Sequence, residues 1–354
     1  MNLSTIRAFY IRYNAKKSAR RIRREMKRNV KSKEQHIDTL SKEDQLFIKE
    51  KWKKYGIKAD LNAFRWLYSV SEVHDWRFIT EDVYAEYLMP NMYDARKAIA
   101  MDDKNYYDLY FYDILMPETL VRNINGVYMT KNYEIISKEE AEKIVKLSNE
   151  NVVIKPSVGS CKGNGVKLVD PMSVSDCFAE YKKNFIVQRR VQLHDSVRAL
   201  NESSANVIRI TTALVNDNVY ALSPTIRVGD AGRFIDQGGE REFCIGIKDD
   251  GTLKDFGIVT KSGIAREDTM PNGFKFGGMA IPNFAQMLEI VKKLHARMAY
   301  FPIIGWDMLV DKNGDAVLLE CNLNWTGILK YQECNGPLFG ELTEEVLNAY
   351  CQKG

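Results

Sequence analysis

Ile304-Gly-Trp-Asp307-Met-Leu-Val-Asp-Lys-Asn-Gly314-Asp-Ala-Val-Leu-Leu-Glu320-Cys-Asn322 sets two strand-like runs around a Lys-Asn-Gly turn. If Lys312 to Asp315 form a four-residue loop, Asp307 falls opposite Glu320, and Asn322 shares the face of Glu320. Two carboxylates and an amide oxygen on one pleated face suit Mg2+, a hard ion that takes oxygen ligands and shares itself with nucleotide phosphates. The alternative is an ordinary hairpin whose polar side faces water. Ala316 to Leu319 is apolar on both faces, so the strands read as buried, where unpaired carboxylates are costly.

A second stretch bears on the first. Asn151-Val-Val-Ile-Lys155-Pro-Ser157-Val-Gly159-Ser160-Cys-Lys162-Gly163-Asn-Gly165-Val-Lys-Leu-Val169 reads as strand, small-residue loop, strand. It lacks the order of a P-loop, and Leu168 stands where a dinucleotide fingerprint starting at Gly163 needs its third glycine. Glycines in such a hairpin let backbone N–H groups approach an anion, with Lys155 and Lys162 adding charge. Taken alone, the stretch reads as a plain Gly-rich turn in preference to a phosphate cradle.

Together the two stretches resemble the ATP-grasp superfamily, and within it the sugar-transfer-associated and teichuronopeptide-synthesis-like group, over roughly residues 100 to 330. The resemblance implies an α+β ATP-grasp fold, two subdomains sandwiching ATP, with Mg2+ as second cofactor. It implies phosphate contacts from Lys104 and Lys155, and a lid over the phosphates from Ser157 to Gly165, including Gly159, Ser160, Lys162 and Gly163. Phe185-Ile-Val-Gln188-Arg-Arg-Val191 is similar to the strand that holds adenine, through Gln188 and the backbone near Val191, although many relatives carry an acid at the Gln188 position. Asn206-Val-Ile-Arg209 is similar to the strand supplying an active-site arginine, and Arg227 with Asp236-Gln-Gly238-Gly239 to a segment near the acceptor. Asp307, Glu320 and Asn322 match the metal motif.

Composition agrees with this reading without selecting it. A chain of 354 residues that is 45% hydrophobic can bury a large core. No apolar run approaches the ~20 residues of a membrane span, and no apolar signal core opens the chain, which predicts a cytoplasmic protein. Cysteines 161, 177, 244, 321, 334 and 351 show no C-x-x-C spacing, which argues against a zinc site or disulfide framework. Cys161 and Cys321 lie within the candidate site and read as packing residues, since no oriented histidine accompanies them. His36, His74 and His295 read as structural or surface residues, and no spacing pairs His194 with a metal ligand.

Along the chain, residues 1–35 carry twelve lysines and arginines from Arg7 to Lys33, and within that run the single acid is Glu25. Ile6, Phe9, Tyr10, Tyr13 and Ile22 are interleaved with them, so this segment is expected either to meet an anionic membrane or to be a solvated helix. Residues 36–100 read as helical, with Trp66, Tyr68, Trp76, Tyr84 and Tyr87 as core; no strand platform accompanies these aromatics, so nucleic acid is not expected as a partner. From about 106 the pattern becomes mixed. Tyr106 to Ile114 reads as strand or helix edge, Ser137-Lys-Glu-Glu140 as a capping box, and strands are expected at 152–155, 166–169, 185–191, 206–215 and 218–228. A helix from about Asn283 to Tyr300 leads into the first hairpin quoted. Subdomain one is placed at 101–190 and subdomain two at 191–354.

The function the resemblance implies is a carboxylate–amine ligase that forms ADP and phosphate. It activates a small acid as an acyl phosphate and joins it to an amine or hydroxyl acceptor, such as an amino sugar or lipid-linked sugar, in cell-surface polysaccharide synthesis. Lys155, Arg209 and Arg227 would neutralise charge on the transferring group without a protein nucleophile. Two other readings stay open at this level: a kinase on the same fold, and a non-enzymatic basic adaptor.

Overall fold

The computed structural model describes residues 3–160, 163–259, 265–324 and 326–351. Two antiparallel sheets organise the chain, with a helical region packed on the larger one.

The smaller sheet contains β1 (Thr119–Ile124), β2 (Val127–Thr130), β3 (Ile135–Ile136), β4 (Val152–Pro156), β5 (Lys167–Val169) and β6 (Phe185–Arg189), in the order β3-β2-β1-β6-β4-β5. Helices Lys138–Lys146 and Val174–Tyr181 cover one face and share its core with Val121, Val152, Ile154, Phe185 and Val187. The first begins at the capping box read from the sequence: Glu140 N donates to Ser137 Oγ, and Ser137 N to Glu140 Oε2.

The larger sheet contains β7 (Val207–Val215), β8 (Asn218–Val228), β9 (Phe243–Ile247), β10 (Leu253–Val259), β11 (Arg266–Glu267), β12 (Ile303–Val310) and β13 (Ala316–Asn322), in the order β11-β10-β9-β8-β7-β12-β13. Helix Phe284–Arg297 packs on one face through Phe284, Met287, Val291 and Leu294. The opposite face carries the helical N-terminal region and helices Leu329–Asn335 and Thr343–Cys351, in one core with Ala213, Val215, Cys244 and Ile303.

That N-terminal region contains α1 (Leu3–Ser32), α2 (Lys42–Lys53), α3 (Leu61–Ser71) and shorter turns from Glu81 to Met101. Helix α1 packs on this region, because its Met26 and Val30 join the shared core and Arg23 pairs with Asp82 and Glu86. Trp66, Tyr68 and Tyr84 are buried there as read, while Trp76 and Tyr87 are partly buried against the same core. Tyr106–Ile114 holds no strand. Asp103 caps a short turn, accepting from Asn105 N at 2.9 Å, and a helical turn at Tyr107–Tyr110 follows.

Candidate active site

The β12–β13 hairpin pairs Asp307 with Glu320, by a different route from the one read in the sequence. Val310 pairs with Ala316, so the loop is five residues, Asp311 to Asp315, and its first carboxylate accepts from Asn313 N and Asp315 N at 2.9 Å. That loop alone would displace the acids by one position. A bulge restores them: Met308 pairs with Leu318 but Asp307 with Glu320, leaving Leu319 as the extra residue. Asn322 then turns its Nδ2 toward Asp307 Oδ2 at 3.3 Å.

Asp307 lies directly opposite Arg209 on β7, whose Nε and Nη2 reach the two carboxylate oxygens at 2.5 and 2.9 Å. Arg227 on β8 adds Nη2 to Asp307 Oδ1 at 3.2 Å, while its Nε donates to Asp236 at 2.7 Å. All four side chains are buried. Burial works against the charge on Asp307, yet the two guanidinium groups outweigh it and hold the carboxyl at about 2. Burial likewise opposes the charge on Arg209 and Arg227, but their carboxylate partners raise both above the ordinary range. Such close, desolvated pairs are strong charge-assisted hydrogen bonds.

Glu320 is met by Lys104, whose Nζ lies 3.3 Å from Glu320 Oε1 without hydrogen-bond geometry. Burial disfavours the Lys104 ammonium; Glu320 and Asp102 outweigh that and raise its pKa. Lys155, on β4, forms no hydrogen bond through Nζ among the described residues, and burial, then the Lys104 charge, press its pKa down to about 8. A buried cation of this kind is suited to a polyanion. The donor set also fits a divalent cation in residue type: the carboxylates of Asp307 and Glu320 and the Asn322 amide share a face, with Asp307 here held by Arg209 and Arg227 and Glu320 beside Lys104. Among the described residues no cluster of three His, Cys, Asp or Glu side chains adds to it.

Between the sheets lies a cavity of about 690 Å³. Its apolar part is lined by Val153, Val166, Val191, Val207, Leu309 and Leu319, a slot suited to an aromatic base. Gln188 borders this slot and donates through Nε2 to Pro117 O at 3.3 Å. Ser160 and Gly163 line the cavity; Gly159 does not, and Ser157 is buried beneath it with Oγ lacking a partner among the described residues. Lys162 and Cys161 lie outside the described residues. Lys104 opens into a neighbouring cavity of about 360 Å³, which shares Lys155 and Gln188 with the first.

The Ser157–Gly165 loop leans on the segment after β8. A Cβ on Gly163, at φ +69°, would lie 2.3 Å from Ile235 Cγ2. That segment is itself folded back, since Asp230 accepts from Glu240 N and Arg241 N at 2.7 and 2.8 Å, and Gly239 has no room for a side chain against Asp230.

The sequence reading missed the far end of the cavity, where Glu242, Lys330 and Tyr331 join Arg227 and Asp236. Lys330 pairs with Glu242 at 3.1 Å. Glu81 of the helical region also lines it, positioned by buried clamps: Gln332 bonds both ways with the Ile79 backbone at 3.0 and 2.8 Å, and Tyr84 OH meets Thr326 Oγ1 at 3.0 Å. No spacing in the sequence ties these residues together. His194 caps the helical turn Asp195–Arg198, accepting from Ser196 N. Cys321 is buried beside Tyr107, and burial pushes its thiol up to about 12, which disfavours the thiolate.

Residues 84–346 match the sugar-transfer associated ATP-grasp family, and the chain belongs to it. Solved structures similar to it include an L-amino acid ligase from Bacillus licheniformis (13% identity, TM-score 0.38, 71% of this chain and 48% of that one). They also include the D-Ala:D-Ser ligase VanG from Enterococcus faecalis (10%, 0.42, 71% and 62%) and D-alanyl-alanine synthetase A from Vibrio cholerae (11%, 0.42, 71% and 65%). The chain thus spans from about half to just under two thirds of those structures. No curated protein matches it.

Proposed function

We propose that this member of the sugar-transfer associated ATP-grasp family is an ATP- and Mg2+-dependent ligase, releasing ADP and phosphate, that activates a carboxylate as an acyl phosphate and joins it to an amine acceptor. The observation that carries the reading is the continuity of one cavity from an apolar slot, past Lys155 and the Arg209–Asp307–Arg227 cluster, to a polar far end. Lys155 binds phosphate oxygens, and Arg209 and Arg227 orient the acid and the charge that develops on the transferring group. Asp307, Glu320 and Asn322 would hold Mg2+, which would supply further charge neutralisation at the phosphates. The acceptor enters at the end lined by Glu81, Glu242 and Tyr331. An amino sugar or lipid-linked sugar in cell-surface polysaccharide synthesis suits the family, as does a cytoplasmic placement with residues 1–35 against the inner face of the membrane.

The test is ADP release with candidate acids in the presence of hydroxylamine. A ligase of this kind yields a hydroxamate of the acid. Phosphorylated product without hydroxamate makes the protein a kinase, and AMP with pyrophosphate overturns the acyl phosphate.

A further inference from the structure

From Phe9 to Ser32, helix α1 presents two unlike faces. Ala19, Met26 and Val30 are buried, with Ile22 and Arg23 half-buried beside them, and Arg23 pairs with Asp82 and Glu86. This is the side laid on the helical region. About a quarter turn round the helix from that side, Phe9, Tyr13, Lys16, Arg20, Arg24, Lys27 and Lys31 recur at steps of four and three, so they form one stripe, and every one is exposed. Lys17, Arg21 and Arg28, also exposed, flank it.

The stripe is graded. Its N-terminal end is apolar: Phe9 is 71% exposed, Tyr10 64% and Tyr13 57%, with Ile11 beside them. Its remainder is cationic over roughly 22 Å, from the rise of about 1.5 Å per residue between Lys16 and Lys31. Straight, basic and tipped with aromatic side chains, it matches a flat anionic layer whose interior accepts rings. A nucleic acid would satisfy the lysines and arginines but leave the apolar end in water, since base stacking needs a platform that a lone helix does not provide.

We propose that this face of α1 docks on an anionic lipid bilayer, with Phe9, Tyr10 and Tyr13 entering the headgroup boundary and the basic stripe lying over the lipid phosphates. The docked helix sits beside the catalytic cavity, because its inner face pairs with Asp82 and Glu86 while the adjacent Glu81 lines that cavity. The inference gives the membrane placement proposed above its physical surface. It does not depend on the ligase chemistry, so either can fail alone.

The experiment is co-sedimentation of the full chain, at two salt concentrations, with vesicles of phosphatidylcholine alone and of phosphatidylcholine carrying about 30% phosphatidylglycerol, enough anionic lipid to attract a basic helix electrostatically. Binding to the anionic vesicles, weakened by salt and absent from the neutral ones, is expected. The double variant F9S/Y13S and the triple variant K16Q/R20Q/R24Q should each lose at least roughly tenfold in partitioning. Nucleotide binding and the thermal midpoint should stay unchanged, because all five side chains are exposed. Equal binding to both vesicle types, no binding, unaltered binding by either variant, or a preference for duplex RNA over anionic vesicles overturns the proposal.

Discussion

Arg209 and Asp307 face each other across β7 and β12 and close a two-bond ion pair at 2.5 and 2.9 Å, buried on both sides. Because Arg227 leans on the same carboxylate, Asp307 is the counter-ion of two guanidinium groups as well as a candidate metal ligand.

The two acids of the metal motif should therefore fail differently. Asp307→Asn removes the shared counter-charge of two buried arginines and should cost about 3–5 kcal/mol of stability along with turnover. Glu320→Gln removes one of the two carboxylates that favour the buried Lys104 ammonium and leaves Asp102, so turnover should fall below detection while the denaturation midpoint drops by less than in Asp307→Asn. Urea denaturation beside an ADP-release assay separates them. Wild-type turnover in Glu320→Gln would remove that residue from the site.

Lys155 offers the reverse signature. Its ammonium is buried at a cost that a bound polyphosphate would offset. Lys155→Met should raise or preserve the melting temperature of the nucleotide-free protein. Nucleotide affinity should drop at least roughly tenfold, as loss of a charge-assisted contact worth about 1.5–3 kcal/mol implies. Calorimetric titration with ADP and a melting curve suffice, and a variant both unstable and fully able to bind would contradict the assignment.

Gly163→Ala tests the contact between the loop and Ile235. The added carbon would meet Ile235 Cγ2 at 2.3 Å in a left-handed backbone conformation that alanine resists. Turnover should fall severalfold with little change in melting temperature, and Ile235→Ala in the same chain should recover part of it by clearing the steric half of the problem. No recovery would place the whole effect in the backbone.

His295 sets an acid limit on stability. Its Nδ1 meets Thr212 Oγ1 at 2.6 Å and its Nε2 meets Phe301 O at 2.8 Å, a set that the neutral ring satisfies by accepting at Nδ1 and donating at Nε2. Trp306, next to Asp307, donates to the same hydroxyl at 2.7 Å. Burial lowers the folded-state pKa to about 4, below the ordinary 6.5. The neutral ring is thus the native form; its contribution is whole above about pH 6.5 and is lost as pH falls toward about 4, by about 3 kcal/mol in all. Urea midpoints at about pH 7.5 and about pH 5, on either side of the ordinary histidine pKa, should diverge more in the wild type than in His295→Gln. Equal divergence would count against the histidine.

By itself the sequence determined the parts whose signals are local. The capping box at Ser137, strand β8, the glycine hairpin between β4 and β5 and the existence of the β12–β13 hairpin, though not its five-residue loop or the bulge at Leu319, follow from neighbours within about twenty residues, where periodicity and turn chemistry act. Strand β1 escaped that reading because Arg122 and Asn123 break its apolar pattern; both are buried, Arg122 bonded to Asp108 and Asn105 O and stacked on Tyr133. Only the tertiary structure decided which charges meet. Arg209, Arg227 and Asp307 come from three strands, and Glu81 reaches the cavity from the helical region through contacts with residues more than 240 positions away. Pairing across such separations is fixed by sheet order and by the burial of helix on sheet, and no spacing along the chain encodes either.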